Sequence, residues 1–339
     1  MTGKPATIND VARAAGVASS TVSRAFARPG RVNVETAERI RKVAADLGYR
    51  AGPVPRPAPR GRTSMIGLVI SDVTNPFYDE IIRGAQAAAG RAGRTTLLAD
   101  AQENGVTERD VLERAVPLVD GLVLATSRMS DSAIRQVAKQ RPVVVLNRIV
   151  AGVPSVVVDN PRGARRVAEH LGELGHRRLT YVAGPEASWT DGVRWRALRE
   201  WGVHAHRIGP YEPTVAGGAE AAHEFARRPT SAVVAYNDLM AIGLVRRLTA
   251  MGVRVPDDVS VAGFDNIFAA ELVTPALTTV AAPLHAMGEA AVKAVLAGAG
   301  PSAVTLPTRL VVRASTSRRH GKAWQSMATT AAAAEARLP

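Results

Sequence analysis

Beyond residue 64, short apolar runs alternate along the chain with longer stretches whose apolar positions repeat at helical spacing. Runs such as IGLVIS and GLVLATS suit buried strands, and the Ala-rich stretches between them suit helices. Strict alternation predicts parallel sheets covered by helices on both faces, and a length of about 250 residues predicts two doubly wound subdomains. The predicted strands are 66–71, 96–99, 121–127, 143–147, 156–159, 179–184, 232–238 and 259–265. The predicted helices are 77–92, 107–116, 131–139, 161–174, 191–200, 216–227, 238–251 and 284–297.

A different pattern occupies residues 7–26, which read TINDVARAAGVASSTVSRAF. Two apolar stripes at helical spacing, separated by Gly16, predict two short helices joined by a tight turn. The predicted inward positions are Ile8, Val11, Ala12, Ala15, Val17 and Val22, and the predicted outward ones are Ser19, Ser20, Thr21, Ser23 and Arg24. Hydroxyl and basic groups on an outer face suit phosphate oxygens and base edges. The pattern fits either a DNA-binding helix-turn-helix or an ordinary helical hairpin.

A third helix is predicted to complete a small head at residues 1–50. Asn33 is a suitable N-cap, and Gly48 can end the helix. The predicted buried stripe of this helix is Ile40, Val43, Ala44 and Leu47.

Residues 51–63 separate the head from the body and carry prolines at alternate positions. Proline lacks an amide donor and clashes with a preceding carbonyl, so no α-helix can form here. We expect an extended spacer of about 3.1 Å per residue. The last stretch, residues 316–339, is basic and Ala-rich, and we expect it to be disordered or a frayed helix.

Positive charge is concentrated in the head. Residues 1–62 carry a formal charge of +8, whereas residues 63–314 carry only +2 of the total +13. A basic head on a nearly neutral body favours a nucleic-acid partner for the head. The chain has no apolar run near the ~20 residues that span a bilayer and no signal peptide, so we expect a cytoplasmic protein with no membrane partner. It has no cysteine, which excludes disulfides and thiolate metal sites.

Polar residues follow several predicted strands of the body. In open α/β sheets, ligands bind beyond the carboxyl ends of the strands. Carboxylates and carboxamides there, with aromatic rings, suit a polyhydroxyl ligand. Any one of these residues can instead be a helix cap or a turn residue, so the hypothesis rests on the set. The strand-end candidates are Asp72, Ser127, Asn147, Asn237 and Asp265, and the candidate stacking rings are Phe77, Trp189 and Tyr211.

Signatures of common enzyme classes are absent from the sequence. There is no Walker loop, no GxGxxG after the first strand, no HExxH and no GxSxG. His170 and His176 are interpreted as structural, and His204 and His206 as surface residues rather than metal ligands. We therefore expect no enzyme activity and no cofactor.

Long strings of the chain resemble motifs of the lactose-repressor (LacI/GalR) family of bacterial transcription regulators. They include TINDVARAAGV, IGLVISDVTNPFYDEIIRGA, AYNDLMAIGLVRRL and RVPDDVSVAGFDNI, and the resemblance spans residues 7–315. It implies an all-α helix-turn-helix head and a periplasmic-binding-protein-like α/β core of two doubly wound subdomains, crossed by three chain segments. It also implies a homodimer that reads a pseudo-palindromic operator in double-stranded DNA, with a small molecule bound in the core.

The resemblance further implies roles for individual residues. The implied base-reading residues are Ser19, Ser20 and Arg24, and those near phosphates are Thr7, Thr21, Ser23 and Asn33. The implied effector contacts are Asp72, Phe77, Asn147, Arg194, Asn237 and Asp265, with Ser127, Trp189 and Tyr211 as further candidates. The implied boundaries are 1–50 for the head, 51–63 for the linker, and 64–315 for the core. Within the core they are 64–160 with 283–308 for one subdomain and 161–282 with 309–315 for the other, before a tail at 316–339.

Two departures from the family pattern concern the DNA-binding part. Ala18 replaces a serine that commonly caps the recognition helix, so Ser19 is expected to cap it instead. The family's hinge helix would occupy residues 52–60, where the prolines prevent a helix. The linker arginines Arg56, Arg60 and Arg62 are therefore either a minor-groove arm similar to an AT-hook or part of a plain tether.

The predicted function is a ligand-responsive, DNA-binding regulator, a repressor of genes for carbohydrate uptake or breakdown. A sugar-binding protein without operator control is the main alternative, and an enzyme with a fused head is another. The polar strand ends favour a sugar over a purine as the effector. Whether the ligand releases DNA or promotes binding stays open, because both use a population shift in the same cleft.

Overall fold

The computed structural model describes residues 7–27, 32–47, 49, 63–201, 204–298, 300 and 302–319, in two units that divide after residue 61. Most of the linker, including Arg56, Arg60 and Arg62, lies outside the described residues, as do Gly48 and the tail beyond residue 319.

The described part of the first unit consists of helices α1 (Ile8–Ala14), α2 (Ser19–Ala27) and α3 (Val34–Asp46). Val11, Val22 and Ile40, one from each helix, are fully buried together. Gly16 joins α1 to α2 with a φ of +65°, a conformation that side chains with a Cβ resist. Two helices joined at this glycine, with a third packed against them, match the predicted head.

The ends of these helices follow the sequence prediction only in part. Asn33 caps α3, accepting a hydrogen bond from the amide two residues on at 3.0 Å. The prediction that Ser19 caps α2 is wrong: the amide of Val22 donates to the carbonyl of Ala18 at 3.2 Å, which places Ala18 at the N-cap. The predicted burial of Leu47 is also wrong. This side chain is 42% exposed because α3 ends one residue earlier.

The second unit alternates strands and helices, as predicted. Its described strands are β1 (Met65–Ile70), β2 (Thr95–Asp100), β3 (Gly121–Ala125), β4 (Val143–Leu146), β5 (Ser155–Val158), β6 (Arg178–Val182), β7 (His204–Ile208), β8 (Ala232–Ala235), β9 (Ser260–Asp265), β10 (Thr278–Ala281), β11 (Ala303–Leu306) and β12 (Arg309–Val311). Its described helices are α4 (Phe77–Arg91), α5 (Gly105–Ala115), α6 (Asp131–Ala138), α7 (Asn160–Glu173), α8 (Trp189–Glu200), α9 (Val215–Arg227), α10 (Asp238–Ala250), α11 (Ala269–Leu272) and α12 (Leu284–Ala297).

Four strands, β7, β10, β11 and β12, were not predicted. The sequences of β7 (HAHRI) and β12 (RLV) contain polar residues or are very short, because both strands lie at sheet edges. The sequence of β10 (TTVA) is rich in threonine although all of its residues are buried. These strands lack the apolar runs by which the others are recognised.

The strands form two six-stranded sheets. The first has the order β11-β5-β4-β3-β1-β2 and is parallel throughout, and we call the layers around it the N-subdomain. The second has the order β12-β10-β9-β8-β6-β7 and belongs to the C-subdomain. Its edge strand β12 runs antiparallel to β10, so the second sheet is mixed rather than wholly parallel. The chain passes between the subdomains three times, after β5, after β10 and after β11.

Helices α4 and α12, which cover the first sheet, pack closely against each other because glycines lie where they cross. A Cβ on Gly84 would lie 2.0 Å from the carbonyl oxygen of His285, and one on Gly288 would lie 2.1 Å from that of Ile81. This contact fixes α4, whose first residue, Phe77, is part of the candidate site.

The prediction that the tail is disordered from residue 316 is wrong for residues 316–319, which contact the C-subdomain. The buried ring of His176 lies 2.9 Å from the hydroxyl of Ser231 and 3.0 Å from the carbonyl oxygen of Ser317. The ring of His170 lies 2.9 Å from the hydroxyl of Thr316. Both histidines therefore hold the end of the described chain against the core, in keeping with a structural role.

Candidate functional site

A small cavity lies between the two subdomains, at the carboxyl ends of strands from both sheets. Its volume is about 20 Å³, room for roughly one water molecule. The N-subdomain contributes Asn75, Phe77, Tyr78, Glu103, Thr126, Arg128 and Asn147 to its wall, and the C-subdomain contributes Arg194, Pro213, Tyr236, Asn237 and Asp265. Any larger ligand requires the two walls to move apart or the side chains to rearrange.

The C-subdomain wall is organised around Arg194 of α8. Its guanidinium donates to Asn160 Oδ1 at 2.9 Å, to the carbonyl of Tyr236, and to Asp265 Oδ1 at 3.3 Å. The guanidinium carbon also lies 4.2 Å from the ring centroid of Phe264. Arg194 is only 4% exposed, so its position is fixed by buried partners.

One carboxyl group, Asp265, contacts Arg194, and a second, Asp238, neighbours Asp265. Burial raises the pKa of Asp265 to about 6, although the Arg194 guanidinium opposes the rise. Burial and the neighbouring charge of Asp265 raise the pKa of Asp238 well above its ordinary range. Asp238 accepts hydrogen bonds from the Thr279 hydroxyl at 2.6 Å and the Ile267 amide at 3.0 Å. Asp238 therefore supports the wall from behind, whereas Asp265 lines the cavity.

Asn237 holds the start of α10 and also lines the cavity. Its Oδ1 caps the helix by accepting from the Met240 amide at 2.9 Å, and its Nδ2 donates to the carbonyl of Pro213 at 3.0 Å. Asn237 is therefore a helix cap and a residue of the cavity wall at once, although the sequence alone leaves these roles as alternatives.

Asn147 follows β4 and forms a hydrogen bond that joins the two walls. Its φ is +60°, a left-handed conformation that asparagine tolerates better than most residues. Its carbonyl oxygen accepts a hydrogen bond from the Thr190 hydroxyl of the C-subdomain at 3.2 Å. Its side-chain Oδ1 is buried, and no hydrogen-bond partner for this oxygen exists among the described residues.

The N-subdomain wall carries a second ion pair, which is partly buried. Arg128 donates through Nε to Glu103 Oε2 at 2.6 Å, and the Arg128 side chain is 8% exposed. Burial raises the pKa of Glu103, against the opposing effect of Arg128. Burial also raises the pKa of Tyr78, whose hydroxyl contacts the hydroxyl of Thr126. Tyr78 therefore stays protonated and available for hydrogen bonding.

The structure brings together five of the nine predicted effector contacts, namely Phe77, Asn147, Arg194, Asn237 and Asp265. The other four predicted contacts are not part of the cavity wall. Asp72 accepts hydrogen bonds from Thr74 in its own turn. Ser127 accepts from the Met129 amide at 3.2 Å, and Tyr211 donates to Glu224. Trp189 is the half-buried first residue of α8.

Sequence reasoning did not select seven of the lining residues, namely Asn75, Tyr78, Glu103, Thr126, Arg128, Pro213 and Tyr236. A usable signal existed for four of them, because each comes within three residues of the end of a strand, namely Glu103, Thr126, Arg128 and Tyr236. Arg128 lies one residue beyond Ser127, and only the fold shows which of the two side chains reaches the cavity.

The head presents its predicted DNA-contacting side chains on its surface. Thr7, Ser19, Ser20, Ser23, Arg24 and Asn33 are exposed, and Thr21 is half-buried. Thr7 and Asn33 are also N-cap residues. The Thr7 amide donates to Asp10 Oδ2 at 2.9 Å, and Asn33 Oδ1 accepts from the Glu35 amide at 3.0 Å. Arg56, Arg60 and Arg62 lie outside the described residues.

Among the described residues, no group of three or more His, Asp or Glu side chains could hold a metal ion. No described helix is long and apolar enough to cross a membrane.

Comparisons with known proteins agree with this architecture. Residues 7–51 match the family profile described as "Bacterial regulatory proteins, lacI family", and residues 168–316 match "Periplasmic binding protein-like domain". The HTH-type transcriptional repressor CytR of Escherichia coli strain K12 is 31% identical over 328 residues, covering 92% of this chain and 96% of CytR. The chain belongs to the LacI family of bacterial regulatory proteins.

Solved structures of transcription regulators have the same fold. A complex of the transcriptional regulator CelR with cellobiose has a TM-score of 0.68 at 29% identity, over 91% of this chain and 99% of that one. The Lac repressor dimer bound to operator and an anti-inducer has a TM-score of 0.68 at 24% identity, over 93% and 100% of the two chains. This LacI-family protein is thus a ligand-controlled, DNA-binding transcription regulator, and its relatives are regulators rather than enzymes.

Proposed function

We propose that this LacI-family regulator binds a carbohydrate between its core subdomains and that occupancy of the cleft changes its affinity for an operator. The observation that carries the proposal is Asn147 Oδ1, a buried acceptor without a partner among the described residues, in the wall of the cavity. Leaving such an acceptor unsatisfied costs about 1–3 kcal/mol, which a donor on a ligand would remove. Hydroxyl groups are suitable donors, and cellobiose occupies the similar regulator CelR.

The proposed effector contacts are the five predicted residues that line the cavity, Phe77, Asn147, Arg194, Asn237 and Asp265. Asp72, Ser127, Trp189 and Tyr211 remain candidates for contacts that form only when the walls rearrange. A ligand held by both walls favours one arrangement of the subdomains over others, and its differential affinity sets how far the equilibrium shifts.

On the DNA side, we propose that the outer face of α2 enters the major groove. Ser19, Ser20 and Arg24 would read base edges, and Thr7, Thr21, Ser23 and Asn33 would contact phosphates. The functional unit would be a homodimer on a pseudo-palindromic operator, acting in the bacterial cytoplasm and on the nucleoid when bound to DNA. We propose no enzymatic role and no cofactor.

The boundaries predicted for the head, the linker and the core subdomains are part of this proposal. For the linker, the two hypotheses of an arginine arm and a plain tether make different predictions. An arm prefers A·T over G·C steps at the operator centre and loses affinity when Arg60 and Arg62 become alanine. A tether is indifferent to both changes.

Two measurements on the full chain test the proposed function. A thermal-shift panel of sugars and nucleobases identifies the effector, since a ligand that binds only the folded state raises the melting temperature. A gel shift on the DNA upstream of the protein's own gene then tests operator control. Stabilisation by a sugar together with a sugar-sensitive gel shift supports the proposal. A sugar response without any DNA shift would favour the binding protein without operator control.

A further inference from the structure

Glu103 and Arg128 form an ion pair in the wall of the cavity. Glu103 lies just after β2, in a turn where Gln102 and Glu103 have φ values of +52° and +53°. Residues with a Cβ adopt this conformation only where their surroundings hold them, and such sites are concentrated at ligand-binding positions. The turn holds the Glu103 carboxylate in the cavity wall opposite the loop after β3 that carries Arg128.

The pair leaves hydrogen-bonding capacity unused. Arg128 contacts a single oxygen of Glu103, Oε2, through both Nε and Nη2 at 2.6 Å. Within the described part of the protein, no other hydrogen bond is made by Glu103 Oε1 or by Arg128 Nη1. Oε1 therefore remains an acceptor and Nη1 a donor, on separate edges of the pair. Each can form a hydrogen bond with a neutral hydroxyl, which both donates and accepts.

Charge in the cavity wall is balanced. Its charged members in the described chain are two cations and two anions, paired as Arg128 with Glu103 and as Arg194 with Asp265. A charged ligand in this wall would add a net charge that no side chain of the wall is left to pair. Burying an unpaired charge is far more costly than burying a hydroxyl that forms hydrogen bonds.

We propose that the Glu103–Arg128 pair selects the charge of the effector, admitting a neutral sugar and rejecting both acidic and amino sugars. This inference rests on the proposed function, because it assumes that the cleft binds a carbohydrate. It assigns to Glu103 and Arg128 a role in specificity that a purely structural ion pair would not have.

The test uses charge-removing variants of the full chain, Glu103→Gln, Arg128→Gln and the double variant, with Glu103→Asp as a charge-keeping control. Calorimetric affinities are measured for cellobiose, glucose, galactose and ribose, and for glucuronate, galacturonate, glucosamine and galactosamine. The wild type is expected to bind a neutral sugar at least about tenfold more tightly than its acidic and amino counterparts, as a single charge-assisted contact would allow.

Each single variant is expected to shift this preference in its own direction. Glu103→Gln leaves Arg128 unpaired and should improve the ratio of uronate to neutral-sugar affinity by about tenfold, and Arg128→Gln should do the same for amino sugars. The double variant and Glu103→Asp should keep the preference for neutral sugars, because both keep the wall balanced. A melting curve without sugar establishes that each variant is folded, and if either glutamine variant is not, Glu103→Ala or Arg128→Met replaces it.

Three outcomes overturn the inference. Equal changes in affinity for all three sugar classes would show that the pair only supports the loops. A double variant that behaves like either single variant would contradict charge balance as the cause. Absence of any wild-type binding across the neutral sugars would overturn the proposed function itself, and this inference with it, so the two failures are distinguishable.

Discussion

Replacing Arg194 by methionine tests the organisation of the C-subdomain wall. The substitution keeps a long side chain but removes the donors to Asn160, Tyr236 and Asp265, and it leaves the Asp265 carboxylate buried without its cation. Removing one partner of a buried ion pair costs about 3–5 kcal/mol. We therefore expect Arg194→Met to lower the free energy of unfolding by about this amount at pH 8.

The loss should depend on pH, with a sign that follows from Asp265. In the wild type its pKa is about 6, above the ordinary 3.8, so the native state binds more protons than the unfolded state between these values. Stability from this group therefore falls as the pH rises through that window. Without Arg194 the pKa of Asp265 rises further, because the guanidinium no longer stabilises the carboxylate. The additional loss of folding free energy therefore appears only at pH values where the carboxyl group ionises. The destabilisation should thus be smaller at pH 5 than at pH 8, by about 1–2 kcal/mol.

Urea unfolding of both proteins at pH 5 and pH 8 measures the effect. Arg83→Met is a matched control, since Arg83 is 74% exposed and its contact with Glu80 spans 3.7 Å. Such an exposed pair contributes about 0–1 kcal/mol. A loss in Arg194→Met as small as that of the control, or one equal at both pH values, would refute the reasoning.

Three further predictions concern packing, the cleft and the head. Gly84→Ala places a Cβ 2.0 Å from a carbonyl oxygen of α12 and should destabilise the core by about 1–3 kcal/mol in urea unfolding. The control Gly90→Ala lies in the same helix, where the new Cβ meets nothing within 4 Å, and it should not destabilise the core. Thr190→Val removes the hydrogen bond to the Asn147 carbonyl and should change the sugar affinity measured by calorimetry by about fivefold. Thr190→Ser keeps the hydroxyl and is the control. Equal affinities of the wild type and Thr190→Val would contradict a role of this hydrogen bond in closing the cleft. Arg24→Ala should weaken operator binding at least about tenfold in gel shifts. It should leave the melting temperature unchanged, because Arg24 is exposed. Unaltered operator affinity would remove Arg24 from the proposed interface.

Much of the fold follows from local patterns in the sequence. The eight predicted helices of the core begin and end within two residues of the observed ones, because their apolar stripes and caps are strong. The edge strands β7 and β12 escape such reasoning, since a strand paired on one side needs no continuous apolar run. Ser19 and Leu47 show a second limit: a shift of one residue in a helix end changes which side chain caps the helix or is buried.

From the residues alone, the candidate site could be predicted mainly at the ends of strands, whereas Arg194, within α8, is implied only by the family resemblance. Asn147 and Asp265 are accessible to that rule, because parallel strands deliver their carboxyl ends to one edge. The pairing of Glu103 with Arg128 is not, since it joins two loops that are 25 positions apart in sequence. The sequence offers Tyr211 as a stacking ring, yet its hydroxyl donates to Glu224, a partner that only the packing of α9 reveals.

The central claim is that a ligand in the cleft controls operator affinity. The most direct test titrates the full chain against labelled DNA from upstream of its own gene, by fluorescence anisotropy, with and without a saturating amount of the sugar that raises its melting temperature. We predict that the sugar changes the dissociation constant at least about tenfold, within the usual range of coupling between two sites. Equal dissociation constants with and without the sugar would contradict the account.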